Sequence, residues 1–398
     1  MLNPRQPAMI VLLGALIAMS PLAMDIYLAS MPSMTVAFAA TPAEVQLTLS
    51  LYMYGLGVAQ LVAGPLSDRF GRRPLLVAGL AGFVAASLAC AAASTIHALI
   101  TARIVQAVSI AVVAVVPRAV ARDLYSGTDA AHVLSLMGMV LGISPIVAPI
   151  LGSHLHAWFG WQANFVFVAF YGAVALASVV TALPETLGRR DPGALAPRTI
   201  LRNFRRLLGS RAFAGYLLVA AFTSSGLFAF LAGSAFVFVT VLGQSEQGFG
   251  LLFGAVMLGN FSGATLGSRL VRRWGIDRMI GRAGIVMTCA GGVLAALAWG
   301  GVTSPWAVVV PMFFYMAALM MTLPQAMAGA LTPFPTIAGS AASLLSFVQF
   351  VVASSAALLV GFTFDGTARP MATVIACAGL LAFVSFRIVV RPSVAELS

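Results

Sequence analysis

Long apolar runs separated by short polar turns dominate the chain. Scanned for the roughly 20 consecutive apolar residues a helix needs to cross a bilayer, the sequence offers segments near 8–33, 44–66, 75–95, 97–121, 131–156 and 163–183. Six more follow near 212–240, 247–270, 280–300, 305–328, 337–363 and 371–390. Most turns carry Gly, Pro or Ser, as at Thr41-Pro42 and Thr303-Ser304-Pro305, the residues that punctuate helices. The pattern predicts an all-α polytopic membrane protein of twelve transmembrane helices in two pseudo-symmetric six-helix bundles. A polar stretch rich in Arg, Pro and Gly, with an amphipathic run from Ile200 to Leu208, falls at the midpoint. The expected organisation is a bundle over 1–184, a cytoplasmic linker over 185–211 and a second bundle over 212–398. Arg5 before the first apolar run and Ala37-Phe38-Ala39 imitate a secretory signal, but the run is too long for one and contains Pro21 and Asp25. The first segment is therefore expected to stay in the mature protein.

Composition agrees: 61% of residues are hydrophobic and 8% charged, far from a soluble domain. The formal charge of +11 comes entirely from Arg, with no Lys. These arginines are spread between apolar segments, which excludes a nucleic-acid-binding block, and without Lys there is no nucleotide-binding P-loop. With the N-terminus inside, Arg5, Arg69, Arg72, Arg73, Arg122, Arg189, Arg190, Arg198, Arg202, Arg205, Arg206 and Arg211 fall on the cytoplasmic side. So do Arg269, Arg272, Arg273, Arg278, Arg282, Arg387 and Arg391, leaving Arg369 as the one Arg in an outside loop. The bias predicts both termini cytoplasmic. Cys90, Cys289 and Cys377 lie in apolar runs and suit neither a disulfide framework nor a metal site. His97, His132, His154 and His156 lie near segment ends, and His154-x-His156 lacks further ligands. No metal or cofactor is expected.

Asp25 changes the picture most. It is the one acid of eleven set well inside an apolar segment, and ionised groups at a membrane helix centre cost at least ~2.5–3.5 kcal/mol on insertion scales, so such a residue marks function. Arg103 is its partner by depth: at 1.5 Å rise per residue the two lie about 12 Å and 9 Å from the outer ends of segments 1 and 4. Burial favours the protonated form of a carboxyl and a nearby guanidinium the ionised form, so such a pair can hold and release a proton. It can equally be a permanent structural salt bridge. Arg118 is the other arginine inside segment 4.

The second half has no intramembrane acid or base, only uncharged polar groups such as Asn260, Gln325 and Gln349 among aromatics. Phe228 and Tyr315 are candidates there for a broad apolar substrate wall, with Asn260 and Gln349 as polar contacts. Tyr27, Tyr52 and Gln106 are the corresponding candidates in the first half. Asp68-Arg69-Phe70-Gly71 after segment 2 is echoed by Arg272-Arg273-Trp274-Gly275 after segment 8, as a duplicated transporter would show.

Several stretches resemble known motifs. Gly64-Pro65-Leu66-Ser67-Asp68-Arg69-Phe70-Gly71-Arg72-Arg73-Pro74 fits the loop 2–3 signature G-x-L-a-D-r-x-G-r-r of the major facilitator superfamily. Ala23-Met24-Asp25-Ile26-Tyr27-Leu28, with Pro32 following, resembles the helix 1 motif of its drug exporters, with Ala29 where Pro is common. Arg103-Ile104-Val105-Gln106 fits R-x-x-Q-G with Ala107 for Gly, and Arg118 to Tyr125 resembles the end of that helix. Ala148-Pro149-Ile150-Leu151-Gly152-Ser153 matches the helix 5 antiporter motif G-P-x-x-G-G in part, with Ala and Ser replacing its first and last Gly. The chain is thus similar to the Bcr/CflA-type drug:proton antiporters, a group that includes chloramphenicol and florfenicol exporters.

The resemblance implies alternating-access export of small lipophilic, amphenicol-like drugs in exchange for protons, by a monomer in the bacterial inner membrane. It also implies a cytoplasmic gate of Gly64, Asp68, Arg69, Gly71, Arg72, Arg73, Arg118, Arg122 and Asp123, paired when the cavity opens outward and broken when it opens inward. Gly138, Gly142, Pro145, Pro149 and Gly152 of segment 5 favour close helix approach and a kink. A proton-coupled carrier of an endogenous metabolite shares the gate and remains the alternative. A receptor or membrane enzyme leaves the gate motif unexplained, and no Ser-His-Asp, nucleotide-loop or metal constellation supports one.

Overall fold

The structure, a computed structural model, describes residues 7–188, 190 and 197–390. Arg5, Arg189, Arg391 and both chain ends lie outside the described residues. All regular structure among those described is helical. The helices are α1 (Pro7–Ala37), α2 (Pro42–Phe70), α3 (Arg72–Ala91), α4 (Ile96–Leu124), α5 (Gly127–Phe159) and α6 (Gln162–Ala182). After the short α7 (Pro197–Leu208) come α8 (Arg211–Val241), α9 (Glu246–Trp299), α10 (Trp306–Leu331), α11 (Pro335–Phe362) and α12 (Arg369–Val390).

All but α7 are long and apolar enough to span a membrane. Unbroken, α9 would run roughly 80 Å at 1.5 Å per residue, far beyond the ~30 Å of hydrocarbon. It is broken at Gly275, whose φ of 73° and ψ of 171° no helix accommodates. Its two limbs are separate crossings, and the twelve expected spans are present. Gly71, between α2 and α3, has a similar conformation, φ 104° and ψ 153°. The echo between the halves is therefore one of backbone as well as sequence, and glycine is the residue that tolerates it.

Local signals explain several helix starts. Thr41 and Glu44 form a reciprocal capping box, Thr41 N–H donating to Glu44 Oε2 at 2.7 Å and Glu44 N–H to Thr41 Oγ1 at 3.2 Å. Thr95, Ser210 and Ser245 accept from Ala98, Phe213 and Gly248 N–H at the starts of α4, α8 and α9. The amphipathic run of the linker forms α7, with Leu207 fully buried and Leu201 and Leu208 exposed.

The helices pack into two compact units, one of Met1–Ala40 with Leu51–Ala196, the other of Thr41–Ser50 with Pro197–Ser398. In the first, α3 packs on α4 and α6, and α1 on α4 and α5. In the second, α9 packs on α10 through Gly259, Gly263 and Gly267, spaced by four. A Cβ on Gly259 would overlap the carbonyl of Phe313, and one on Gly263 that of Ala317. Without side chains the two backbones meet directly, the usual use of small residues between membrane helices. At the arginine-rich end of this unit Leu207, Phe213, Leu217, Ile280, Leu345 and Phe386 form a closed core.

Candidate functional site

Helix α1 is interrupted where its acid lies. The α-helix runs Pro7–Asp25, a 3-10 turn occupies Leu28–Ser30, and helix resumes over Met31–Ala37. Asp25 is 1% exposed, and its Oδ1 has no hydrogen-bond partner among the described residues. Gly152 of α5 makes this interruption possible to pack, since a Cβ there would overlap the carbonyl oxygen of Ile26. Beyond the break α1 is tied down by Asn164 Nδ2, donating to Ser30 Oγ at 2.9 Å, and by a 3.0 Å hydrogen bond between Ser33 and His156.

Arg103 on α4 is fully buried. Its Nη1 donates to Ala23 O at 3.1 Å and to Gln106 Oε1 at 2.5 Å, and Gln106 Nε2 in turn donates to Ser87 Oγ at 2.7 Å. Three rings surround the guanidinium, with centroids 4.0 Å away for Tyr52, 4.4 Å for Tyr27 and 5.8 Å for Phe165. A desolvated cation over an aromatic face gains about 2 kcal/mol, which offsets part of the cost of burying it. The residue at the family's Gly position, Ala107, fits because Gly55 of α2 faces it. Arg103 does not form an ion pair with Asp25: the ion pairs among the described residues are Arg72 with Asp68 and with Asp123. Arg103 Nε and Nη2 and Tyr52 Oη have no hydrogen-bond partner among the described residues. A carboxyl oxygen and several donors are thus left without hydrogen-bond partners among the described residues in one buried centre.

A second charged group surrounds the α2–α3 turn. The buried Arg72 donates from Nη1 to Asp68 Oδ1 at 2.5 Å and to Ser67 Oγ, and from Nε to Asp123 Oδ2 at 3.1 Å. Arg69 and Arg122 are exposed and take no part in these pairs, and Arg118 Nη1 donates to Ala114 O on its own helix at 3.1 Å. Glu185, just beyond α6, completes the cluster. Its Oε1 accepts from Arg72 N–H at 3.0 Å and its Oε2 from Arg73 N–H at 3.3 Å, capping the first turn of α3 where the helix dipole favours an anion. Arg73 Nη2 donates to Val180 O of α6 at 2.6 Å. Gly71 is needed twice over, for its positive φ and because a Cβ would crowd Glu185 Oε2. Sequence reasoning missed Glu185; the available signal was an acid following Pro184 at the end of an apolar segment. Gly64 has open space around its Cα.

The helix 5 residues divide. Gly152 is a close-approach glycine, whereas a Cβ on Gly138 or Gly142 would meet nothing within 4 Å. Pro145 and Pro149 lie inside the continuous α5.

In the second unit Phe228 stacks on Phe350 at 5.7 Å, and Gln349 Nε2 donates to Ser224 Oγ at 2.8 Å. Tyr315 is fully buried against Gly226, its hydroxyl without a hydrogen-bond partner among the described residues. Asn260 of α9 donates to Met257 Sδ on its own helix at 3.3 Å. Ser224 and Gly226 of α8, which the sequence reading passed over, meet Gln349 and Tyr315 respectively.

Twelve crossings, a charged centre buried at membrane depth and a charge cluster at a helix turn define a membrane transporter. The model of the Major Facilitator Superfamily matches residues 13–358, and the chain belongs to that family. Within it the chain groups with Bcr/CflA-type drug exporters. It is 31% identical over 364 residues to multidrug resistance protein D of Escherichia coli (strain K12), covering 90% of this chain and 91% of that one. It is 30% identical over 368 residues to a chloramphenicol resistance protein of Pseudomonas aeruginosa, covering 89% and 83%. Among solved structures, a D-xylose-proton symporter superposes with a TM-score of 0.76 at 15% identity, covering 98% of this chain and 99% of that one, which bears on the fold alone.

Proposed function

We propose that this transporter exports small, partly lipophilic drugs, amphenicol-like compounds among them, in exchange for protons. The observation that carries the reading is the buried Asp25 and Arg103 centre, where Asp25 Oδ1 and two guanidinium nitrogens lack hydrogen-bond partners among the described residues. Asp25 binds the incoming proton, and Arg103, held by Gln106 and the aromatic rings, stabilises the carboxylate once the proton leaves. One elementary charge crossing 100 mV supplies about 2.3 kcal/mol, enough for roughly 50-fold accumulation of drug. The stacked Phe228 and Phe350 and the Ser224–Gln349 pair supply apolar surface and polar contacts for substrate. The Arg72 cluster acts as the gate, formed in the outward-open state and released in the inward-open one. The protein works as a monomer in the bacterial inner membrane with both termini cytoplasmic, as the arginine distribution supports.

The test is lumenal pH in everted vesicles energised by respiration, with candidate amphenicols added singly. Drug-dependent proton release that disappears in an Asp25→Asn variant of normal membrane content is expected. Undiminished release by that variant removes Asp25 from the coupling site. No response to any drug from inserted native protein moves the assignment to a carrier of an endogenous metabolite.

A further inference from the structure

At the arginine-rich end of the second unit, the second limb of α9 packs on α12 through phenyl rings of α12 seated on glycines of α9. A Cβ on Gly281 would lie 3.2 Å from the Phe386 ring, and one on Gly284 3.0 Å from that of Phe383. Beside this contact is a groove of about 240 Å³, with Asp277, Arg278 and Arg282 on one wall, Arg387 on the other and Ile285 at its membrane side. Its volume is below the ~300–1,000 Å³ of drug-sized pockets.

The charge in the groove is unbalanced. Arg278, Arg282 and Arg387 are exposed, and among the described residues none of them forms an ion pair. The one acid present, Asp277, already accepts a hydrogen bond from Tyr216 Oη at 2.7 Å. Two of the guanidinium groups are held by rings, Arg282 over Trp274 at 4.2 Å and Arg387 over Phe383 at 5.1 Å. On the membrane side of these arginines lie exposed apolar side chains, Ile285 at 46% and Val384 at 36%. Cations at the rim and apolar surface continuing into the hydrocarbon complement one kind of molecule, an anionic head with acyl chains attached.

We propose that this groove binds the headgroup of an anionic phospholipid from the leaflet at this end of the bundle. The phosphodiester is held by Arg278, Arg282 and Arg387, and the chains lie along Ile285 and Val384. Asp277 is turned to Tyr216, and its single negative charge is outnumbered by three guanidinium groups.

The experiment is native mass spectrometry of the full-length protein released from detergent, titrated separately with dioleoylphosphatidylglycerol and dioleoylphosphatidylcholine. Native protein is expected to retain phosphatidylglycerol in preference. The preference should fall about fivefold for each arginine removed in R278Q, R282Q and R387Q, while R272Q/R273Q, altered outside the groove, keeps it. Equal retention of the two lipids overturns the proposal. So does an equal loss in R272Q/R273Q, which would reduce the effect to general positive charge. Displacement of the lipid by millimolar inorganic phosphate would make this a free-anion site and would also overturn it. The lining arginines are exposed, and a thermal-unfolding comparison of each variant with native protein verifies that the fold is kept.

Discussion

Adding one methyl group at Gly152 should separate the helix 5 glycines that the sequence presents alike. The new Cβ would overlap the carbonyl oxygen of Ile26 and lie 3.1 Å from its Cγ1. The obstacle is backbone, so no side-chain rotation relieves it, and α1 or α5 must retreat. Overpacking of this kind costs ~1–3 kcal/mol, and a backbone obstacle places Gly152→Ala toward the upper part of that range. The displaced residue follows Asp25 directly, so the carboxyl moves with it. At Gly138 and Gly142 a Cβ meets nothing within 4 Å, and alanine there should gain up to about 0.5–1 kcal/mol from the lower backbone entropy of the unfolded chain. Thermal unfolding of the three purified variants in one detergent, with drug efflux from cells, checks this. Gly152→Ala should unfold several degrees below native and lose most export; Gly138→Ala and Gly142→Ala should unfold at or above native. Native-like stability and export in Gly152→Ala, or the reverse ranking, would refute the packing argument.

Other substitutions probe the charged groups. Arg72→Ala removes both ion pairs and should cost ~1–3 kcal/mol, whereas Arg69→Ala and Arg122→Ala should stay within about 0.5 kcal/mol; chemical denaturation of the three variants orders them. Glu185→Ala uncaps the Arg72 and Arg73 amides and should lower stability by ~1 kcal/mol, with Glu185→Gln recovering part of it in the same assay. Arg103→Lys keeps the charge but loses the planar stacking and the forked donors. Its export rate should fall at least about tenfold, from loss of a charge-assisted hydrogen bond of ~1.5–3 kcal/mol, at unchanged membrane content.

Periodic apolar length made the crossings legible, and so did the break inside α9, because Gly275 follows Arg272-Arg273-Trp274 in a polar turn. The burial of Asp25 and Arg103 was legible too, since both are charges set within apolar segments. Their geometry was not. Depth alone suggested a direct pair, but the side chain of Arg103 is long enough to reach Ala23 O and Gln106, and the rings of Tyr27 and Tyr52 compete for it at close range. Likewise Arg69, Arg72 and Arg122 look equivalent in sequence. Only the turn at Gly71 decides that Arg72 faces inward to both aspartates. Glu185 escaped notice because its partners lie more than a hundred positions earlier in the chain.

The two halves share a scaffold device and differ in what they attach to it. Gly71 and Gly275 make the same backbone turn, yet around the first an arginine collects two aspartates and a glutamate caps the next helix. Around the second, Asp277 is taken by Tyr216 and Arg282 rests on Trp274. The same divergence holds within the membrane. The first unit invests in one expensive charged centre, enclosed by rings and amides that make it tolerable. The second offers hydroxyls, an amide and stacked phenyl rings, with Tyr315 closed onto Gly226. A charge introduced beside Phe228 would cost at least ~2.5–3.5 kcal/mol, with no buried guanidinium among the described residues of its own unit to offset it. Under the proposed exchange of protons for drugs, confining ionisation to one half keeps the other free to meet neutral, greasy substrates.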